Sequence, residues 1–209
     1  METENRGELW GIGLPTKKEV NTARYGGNQI LQNLQLDLPQ VETFIRPNSA
    51  PWQRLTIPTD KSLFTNLKQG ANSLELQLLF KRLLRTKYRI HQCIYTDGSK
   101  NGDKCGYSVV SEEFSIRRRM HGSSSIFTAE STAVKEAITW AANQNLDGEY
   151  LICTDSMSVL TALERRKISS RWKDEVVELT RQARNNGTEI DLCWVPSHIG
   201  IEGNEKSDK

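Results

Sequence analysis

Cys93-Ile94-Tyr95-Thr96-Asp97-Gly98-Ser99 decides the reading of this chain. An apolar, strand-forming run meets a carboxylate and then a glycine. Cys93 to Thr96 reads as a buried strand. Two accounts compete for the residues after it. Asp-Gly is a strong turn signal, so Asp97-Gly98-Ser99 can be the turn that ends the strand. If the strand is central instead, Asp97 stands at its carboxyl end, where ligands of α/β proteins gather.

The pattern around this stretch supports the central position. Gly106 to Val110 and Phe114 to Met120 read as two further strands, joined by short connections that favour an antiparallel meander. Phe127 to Asn143 reads as a helix, Tyr150 to Thr154 as a short buried strand and Ser156 to Arg165 as a short helix. Arg171 to Asn185 is amphipathic, with Trp172, Val176, Leu179 and Ala183 on one stripe. Gly187 suits the position after its end; Asn186-Gly187-Thr188, which matches a glycosylation acceptor, reads as that helix-ending turn. Thr188 to Val195 alternates, with Ile190, Leu192 and Trp194 on one face. The order β-β-β-α-β-α-α-β predicts a mixed five-stranded sheet flanked by helices, with its first and fourth strands parallel.

Three more carboxylates stand out beside Asp97. Glu130 lies within the apolar stripe formed by Phe127, Ala133, Val134, Ala137 and Ala141. An unpartnered carboxylate buried there costs several kcal/mol. A favourable place in the helix dipole explains its position along the axis but not its face. Asp155 ends the run Leu151-Ile152-Cys153-Thr154, where it can equally be the N-cap of the next helix. Asp208 follows Gly203-Asn204-Glu205 and, alone, can be an exposed acid. If the elements share one sheet, the four acids converge. Such a cluster needs cations, and Mg²⁺ is hard and oxygen-seeking.

The remaining chain bounds the answer. The 209 residues carry a formal net charge of +2, which neither demands nor excludes a nucleic-acid partner. Residues 1–70 read as an irregular linker or the remnant of an upstream connector, broken by Pro39, Pro47, Pro51 and Pro58, with Trp10 and Trp52 isolated. Residues 71–90 read as an amphipathic helix: Asn72 and Glu75 form a capping box, and Leu76, Leu79, Phe80, Leu83 and Leu84 come after it at helical spacing. Lys81, Arg82, Arg85 and Lys87 fall on its solvated face, with contact to a nucleic-acid backbone as the alternative. Cys93, Cys105, Cys153 and Cys193 form no Cys-x-x-Cys pair, and the three in strand-like runs read as small buried hydrophobes. No apolar stretch is long enough to span a membrane, and Met1-Glu2-Thr3-Glu4 lacks the regions of a signal peptide. The expected location is intracellular, cytoplasmic or nuclear.

Ile94 to Ser99, Thr128-Ala129-Glu130, Cys153-Thr154-Asp155-Ser156, and Trp194 to Gly200 running on through Gly203-Asn204-Glu205 to Asp208 together resemble the ribonuclease H type 1 family. The resemblance covers roughly residues 90 to 209. Lys87-Tyr88 ahead of the first strand, Tyr95 to Lys100 and the loop Val195 to Gly200 look like the domain that follows reverse transcriptase in non-LTR retrotransposon polyproteins. Ala50-Pro51-Trp52 looks like the connector between the two.

The resemblance implies a ribonuclease H-like fold over residues 91–209, with the family's C-terminal helix missing. It implies an endoribonuclease that cleaves the RNA strand of RNA/DNA hybrids by two-metal-ion hydrolysis, leaving a 5′-phosphate and a 3′-hydroxyl. Asp97, Glu130, Asp155 and Asp208 are then ligands of two Mg²⁺ or Mn²⁺ ions, and His198 shuttles protons. Gly98 and Ser99 approach the RNA backbone, with Asn204 and Glu205 near the metals. The implied partners are the hybrid and a reverse transcriptase domain of a parent polyprotein. A monomer that meets no membrane is expected. The alternatives are a catalytically impaired hybrid-binding domain, a polyprotein fragment, and a nuclease or integrase of the same fold acting on DNA.

Overall fold

The structure, a computed structural model, describes residues 56–144, 147–165 and 170–207. Six strands form one mixed sheet: β1 (Thr59–Asp60), β2 (Gln92–Asn101), β3 (Lys104–Val110), β4 (Ser115–Met120), β5 (Glu149–Thr154) and β6 (Glu189–Trp194), in the order β1-β6-β5-β2-β3-β4. The helices are α1 (Ser62–Lys68), α2 (Ser73–Thr86), α3 (Ile126–Ala142), α4 (Met157–Glu164), α5 (Arg171–Asn185) and α6 (Glu202–Ser207).

The α/β class and the flanked mixed sheet agree with the sequence pattern. β2 and β5 run parallel, with Thr96 opposite Thr154, while β3 and β4 form the antiparallel meander. The middle of β5, Tyr150 to Cys153, is an unbroken apolar run because both its faces are covered; Leu151, Ile152 and Cys153 have no exposed surface. α5 occupies the expected residues, and Gly187 comes after it with φ +85°.

Two expectations are corrected. The strand does not end at Thr96, and the turn weighed for Asp97-Gly98-Ser99 is not made: β2 continues to Asn101, and the reversal falls at Gly102, whose φ is +60°. Asp97 pairs with Ser108 and Gly98 with Tyr107, so pairing with β3 overrides the local Asp-Gly signal. Nor is the chain irregular up to residue 70. β1 adds a sixth strand beside β6, and α1 comes next, burying Leu63. The Pro and Trp residues from 10 to 52 lie outside the described residues.

Alternation along β2 assigns the two faces of the sheet. A Cβ on Gly98 would meet α3 at Glu130, whereas Tyr95, pointing the other way, packs under Gly203 of α6. α3 therefore lies on one face, laid close by Ala129, Ala133, Ala137 and Ala141, all fully buried. α6 lies on the opposite face. α2 belongs with it, sharing with Tyr95 and Gly203 a cavity lined by Gln77, Phe80 and Leu84. Tyr95, Cys153 and Cys193 form one row across three strands on that face. Burial pushes the Cys153 thiol well up, so it behaves as the expected apolar group. All four cysteines are free.

The helix starts are fixed by side chains. Asn72 and Glu75 form the reciprocal capping box on α2. Ser125, Ser156 and Ser170 each accept a backbone N–H at the starts of α3, α4 and α5. Such caps contribute about 1 kcal/mol each. No described helix is long and apolar enough to cross a membrane.

Candidate active site at the carboxyl edge of the sheet

Parallel strands bring distant residues to one edge. Because Thr96 pairs with Thr154, Asp97 and Asp155 are the next residues along two neighbouring strands. Strands so paired lie about 4.8 Å apart. Both carboxylates are half-buried at this edge. The backbone of Asp155 is fixed by Trp194, whose indole N–H donates to the Asp155 carbonyl at 2.9 Å. The capping role considered for Asp155 belongs instead to Ser156.

Glu130 reaches the same edge from α3. A Cβ built on Gly98 would lie 2.6 Å from the Glu130 nitrogen and 2.8 Å from its Cγ. The missing side chain at 98 thus lets the first turns of α3 rest on β2 beside Asp97. The carboxylate of Glu130 accepts from Ser156 Oγ at 2.5 Å and, more weakly, from Ser158 Oγ at 3.4 Å. Ser156 therefore caps α4 and also orients Glu130. The sequence pattern missed both roles, because the neighbouring Asp155 reads as the cap and Glu130 lies 26 residues away in the chain.

Asp208 lies outside the described residues, but the helix that leads to it is well held. Ser108 Oγ donates to the Ser207 carbonyl at 2.6 Å, and an Arg117 guanidinium N–H donates to the Lys206 carbonyl at 3.3 Å. Asp97, Ser108 and Arg117 are register partners across β2, β3 and β4, so one row of the sheet links the site to the end of α6. The signal for Ser108 was its hydroxyl within an otherwise apolar run, Tyr107 to Val110. Beside this row an open trough of about 600 Å³ is lined by Asp97, Ser99, Lys100, Gly106, Arg117 and Arg119.

His198 is exposed on the loop after β6, at the same edge, with a left-handed backbone of φ +54°. Glu205 accepts the Gly200 N–H at 3.0 Å, so it organises this loop. Ser99 is exposed beside Asp97. Gly98 and Asn204 both have packing roles here. Glu130 occupies the space where a Cβ of the half-buried Gly98 would lie, so its lack of a side chain serves helix packing. Asn204 is only 1% exposed, and among the described residues neither its side-chain amide oxygen nor its nitrogen has a hydrogen-bond partner; it lies in the interior. The other histidines are elsewhere. His91 sits at the amino ends of β5 and β6, with Nδ1 3.3 Å from Glu149, an ion-pair separation without hydrogen-bond alignment. His121 bonds Ser123 at 2.7 Å in an exposed turn.

Among the described residues, no three His, Cys, Asp or Glu side chains stand close enough together to hold a metal ion. Glu130 is directed at its serine partners, and Asp208 is not among those residues. The donor chemistry nonetheless suits a hard cation: three elements bring carboxylate oxygens to one edge with no thiolate among them, and Ser156 can release Glu130 by a rotation.

A family model described as RNase H matches residues 90–209. The chain belongs to the RNase H family. The match spans β2 to α6, and so the whole edge bearing Asp97, Glu130, Asp155 and His198; β1, α1 and α2 precede it. The family supports, in general terms, a hydrolase acting on RNA/DNA hybrids and using divalent metal ions.

Proposed function

We propose that this RNase H domain is an endoribonuclease that cleaves the RNA strand of an RNA/DNA hybrid. The observation that carries the reading is the side-by-side placement of Asp97 and Asp155, with Glu130 brought over Gly98 beside them. Asp97, Glu130, Asp155 and Asp208 would hold two Mg²⁺ or Mn²⁺ ions. When bound, such a pair activates a water and stabilises the leaving 3′ oxygen, giving a 5′-phosphate and a 3′-hydroxyl.

The protein's own part is positioning. Asp97 is set by strand pairing on both sides, with β5 and with β3. Glu130 is oriented by Ser156, and the Asp155 backbone by Trp194. Ser99, exposed next to Asp97, is the residue we assign to the RNA backbone. His198, exposed on its loop, would move protons at the reacting phosphate. A hybrid carries 2′-hydroxyls on one strand only, which is the feature that separates its strands. The likeness of Tyr95 to Lys100 and of Val195 to Gly200 to polyprotein domains supports a reverse transcriptase as the covalent partner; tethering would raise the local concentration of hybrid.

The test is Mg²⁺-dependent cleavage of an end-labelled hybrid, with duplex DNA alongside and Asp97→Asn as control. RNA-strand cleavage lost in Asp97→Asn is the expected result. Cleavage of duplex DNA, or activity surviving Asp97→Asn, would overturn the reading.

A further inference from the structure

The segment ahead of the family match touches the candidate site. α2 presents Gln77 to the loop that carries His198, and the Gln77 side-chain amide donates to the Ile199 carbonyl. A carbonyl only accepts, so the amide nitrogen must be the group that faces it. The approach is close: a Cβ on Gly200 would lie 3.0 Å from Gln77 Nε2.

This loop needs such support. His198 has φ +54° and Gly200 φ +81°. The left-handed region is disfavoured for a residue with a Cβ and persists only when its surroundings impose it. Here the restraints bracket the next peptide. Gln77 holds the Ile199 carbonyl, and Glu205 holds the Gly200 N–H. Below them Ile201 is buried and Ile199 packs against the core. Gln77 itself is anchored, because its neighbour Leu76 and, one turn on, Phe80 are buried, and the Asn72–Glu75 box fixes the start of α2.

We infer that Gln77, outside the matched domain, is a positioning residue that holds the His198 loop in its left-handed conformation and thereby sets where the imidazole stands. The inference rests on the proposed role of His198 in hybrid cleavage. It makes α2 a working part of the site: a helix supplied from upstream fixes a loop at the opposite end of the domain sequence.

The experiment uses the full chain. Gln77→Glu keeps the shape and removes the donor, and Gln77→Ala removes both. Amide hydrogen exchange at Ile199 and Gly200 is measured first, in wild type and both variants. Exchange faster by about tenfold at these two amides, with β5 and α3 unchanged, is expected when one restraint is lost. Unchanged exchange overturns the inference whether or not the protein cleaves anything. Cleavage kinetics then test the coupling. Gln77→Glu should lower kcat about tenfold with KM unaltered. In the His198→Ala background the same change should cost nothing further. Equal losses in both backgrounds would show that Gln77 acts through general packing and overturn its link to His198. If wild type fails to cleave the hybrid, the functional reading falls, and the exchange data alone decide whether Gln77 holds the loop.

Discussion

Gly98 shows how one missing side chain sets the relation between two acids. The Cβ of an alanine would sit 2.6 Å from the Glu130 backbone nitrogen and 3.0 Å from the Ala129 carbonyl carbon. Backbone cannot swing aside as a flexible side-chain end can, so the first turns of α3 must lift from β2. Overpacking of this kind costs about 1–3 kcal/mol. Gly98→Ala should therefore destabilise the protein by that amount in urea. Under conditions where it remains folded, it should also cleave hybrid far more slowly, because Glu130 moves away from Asp97. A variant as stable and as active as wild type would show that Gly98 does not set this spacing. Sequence alone singled out Asp97, Glu130 and Asp155, because each breaks an apolar pattern locally. It could not show that Glu130 is held by Ser156, since that bond joins residues 26 apart that meet only when α3 crosses the edge of the sheet.

Single elements were legible where the signal is local. The capping box of α2 and the whole of α5 come from spacing along the chain, which side-chain hydrogen bonds and one buried stripe then satisfy. β1 was not legible. It has two residues, and among the described residues its strand partner is β6, more than a hundred positions away. Its end is secured by Asp60, which accepts from Lys87 at 2.8 Å and from the Ser62 N–H at 2.9 Å. Burial pushes the Asp60 carboxyl up, but Lys87 and Ser62 together outweigh it and leave the group below its ordinary value of 3.8. A carboxyl depressed in the folded state stabilises the protein above its unfolded value and loses that contribution as pH falls through the folded one. Asp60→Asn should therefore be less stable than wild type by about 1 kcal/mol at neutral pH, a small figure because the Lys87 side chain is 55% exposed and screened. The gap should close below pH 3.8. Paired urea titrations at neutral and acid pH check this, and a gap independent of pH would exclude the ion pair as its source.

At the scale of the whole molecule, the matched family and the folded unit have different beginnings. The match starts at residue 90, yet the core continues into Leu63, Leu76 and Phe80, each no more than 3% exposed. Phe64 of α1 sets its ring edge-on to Trp194 at 5.2 Å, so the upstream helices also cover the strand that leads to the His198 loop. Sequence reading took residues 71–90 as a helix leading into the domain. The packing adds that α2 also serves as a wall, because the α6 face of the sheet, with Tyr95, Cys153 and Cys193, is closed in part by α2. If α2 were only a leader, truncating its buried residues would leave the sheet indifferent. Leu76→Ala removes a fully buried side chain at a site lined by the rest of the core, which typically costs about 2–5 kcal/mol, and Phe80→Ala costs about 3–5 kcal/mol. Each should lower the stability of the entire described unit in one cooperative transition, seen equally by tryptophan fluorescence and by hydrogen exchange in β2 and β5. Local loosening of α2 with β2 and β5 still fully protected would mean that the unit begins at residue 90 after all, with α2 lying against a sheet that folds without it.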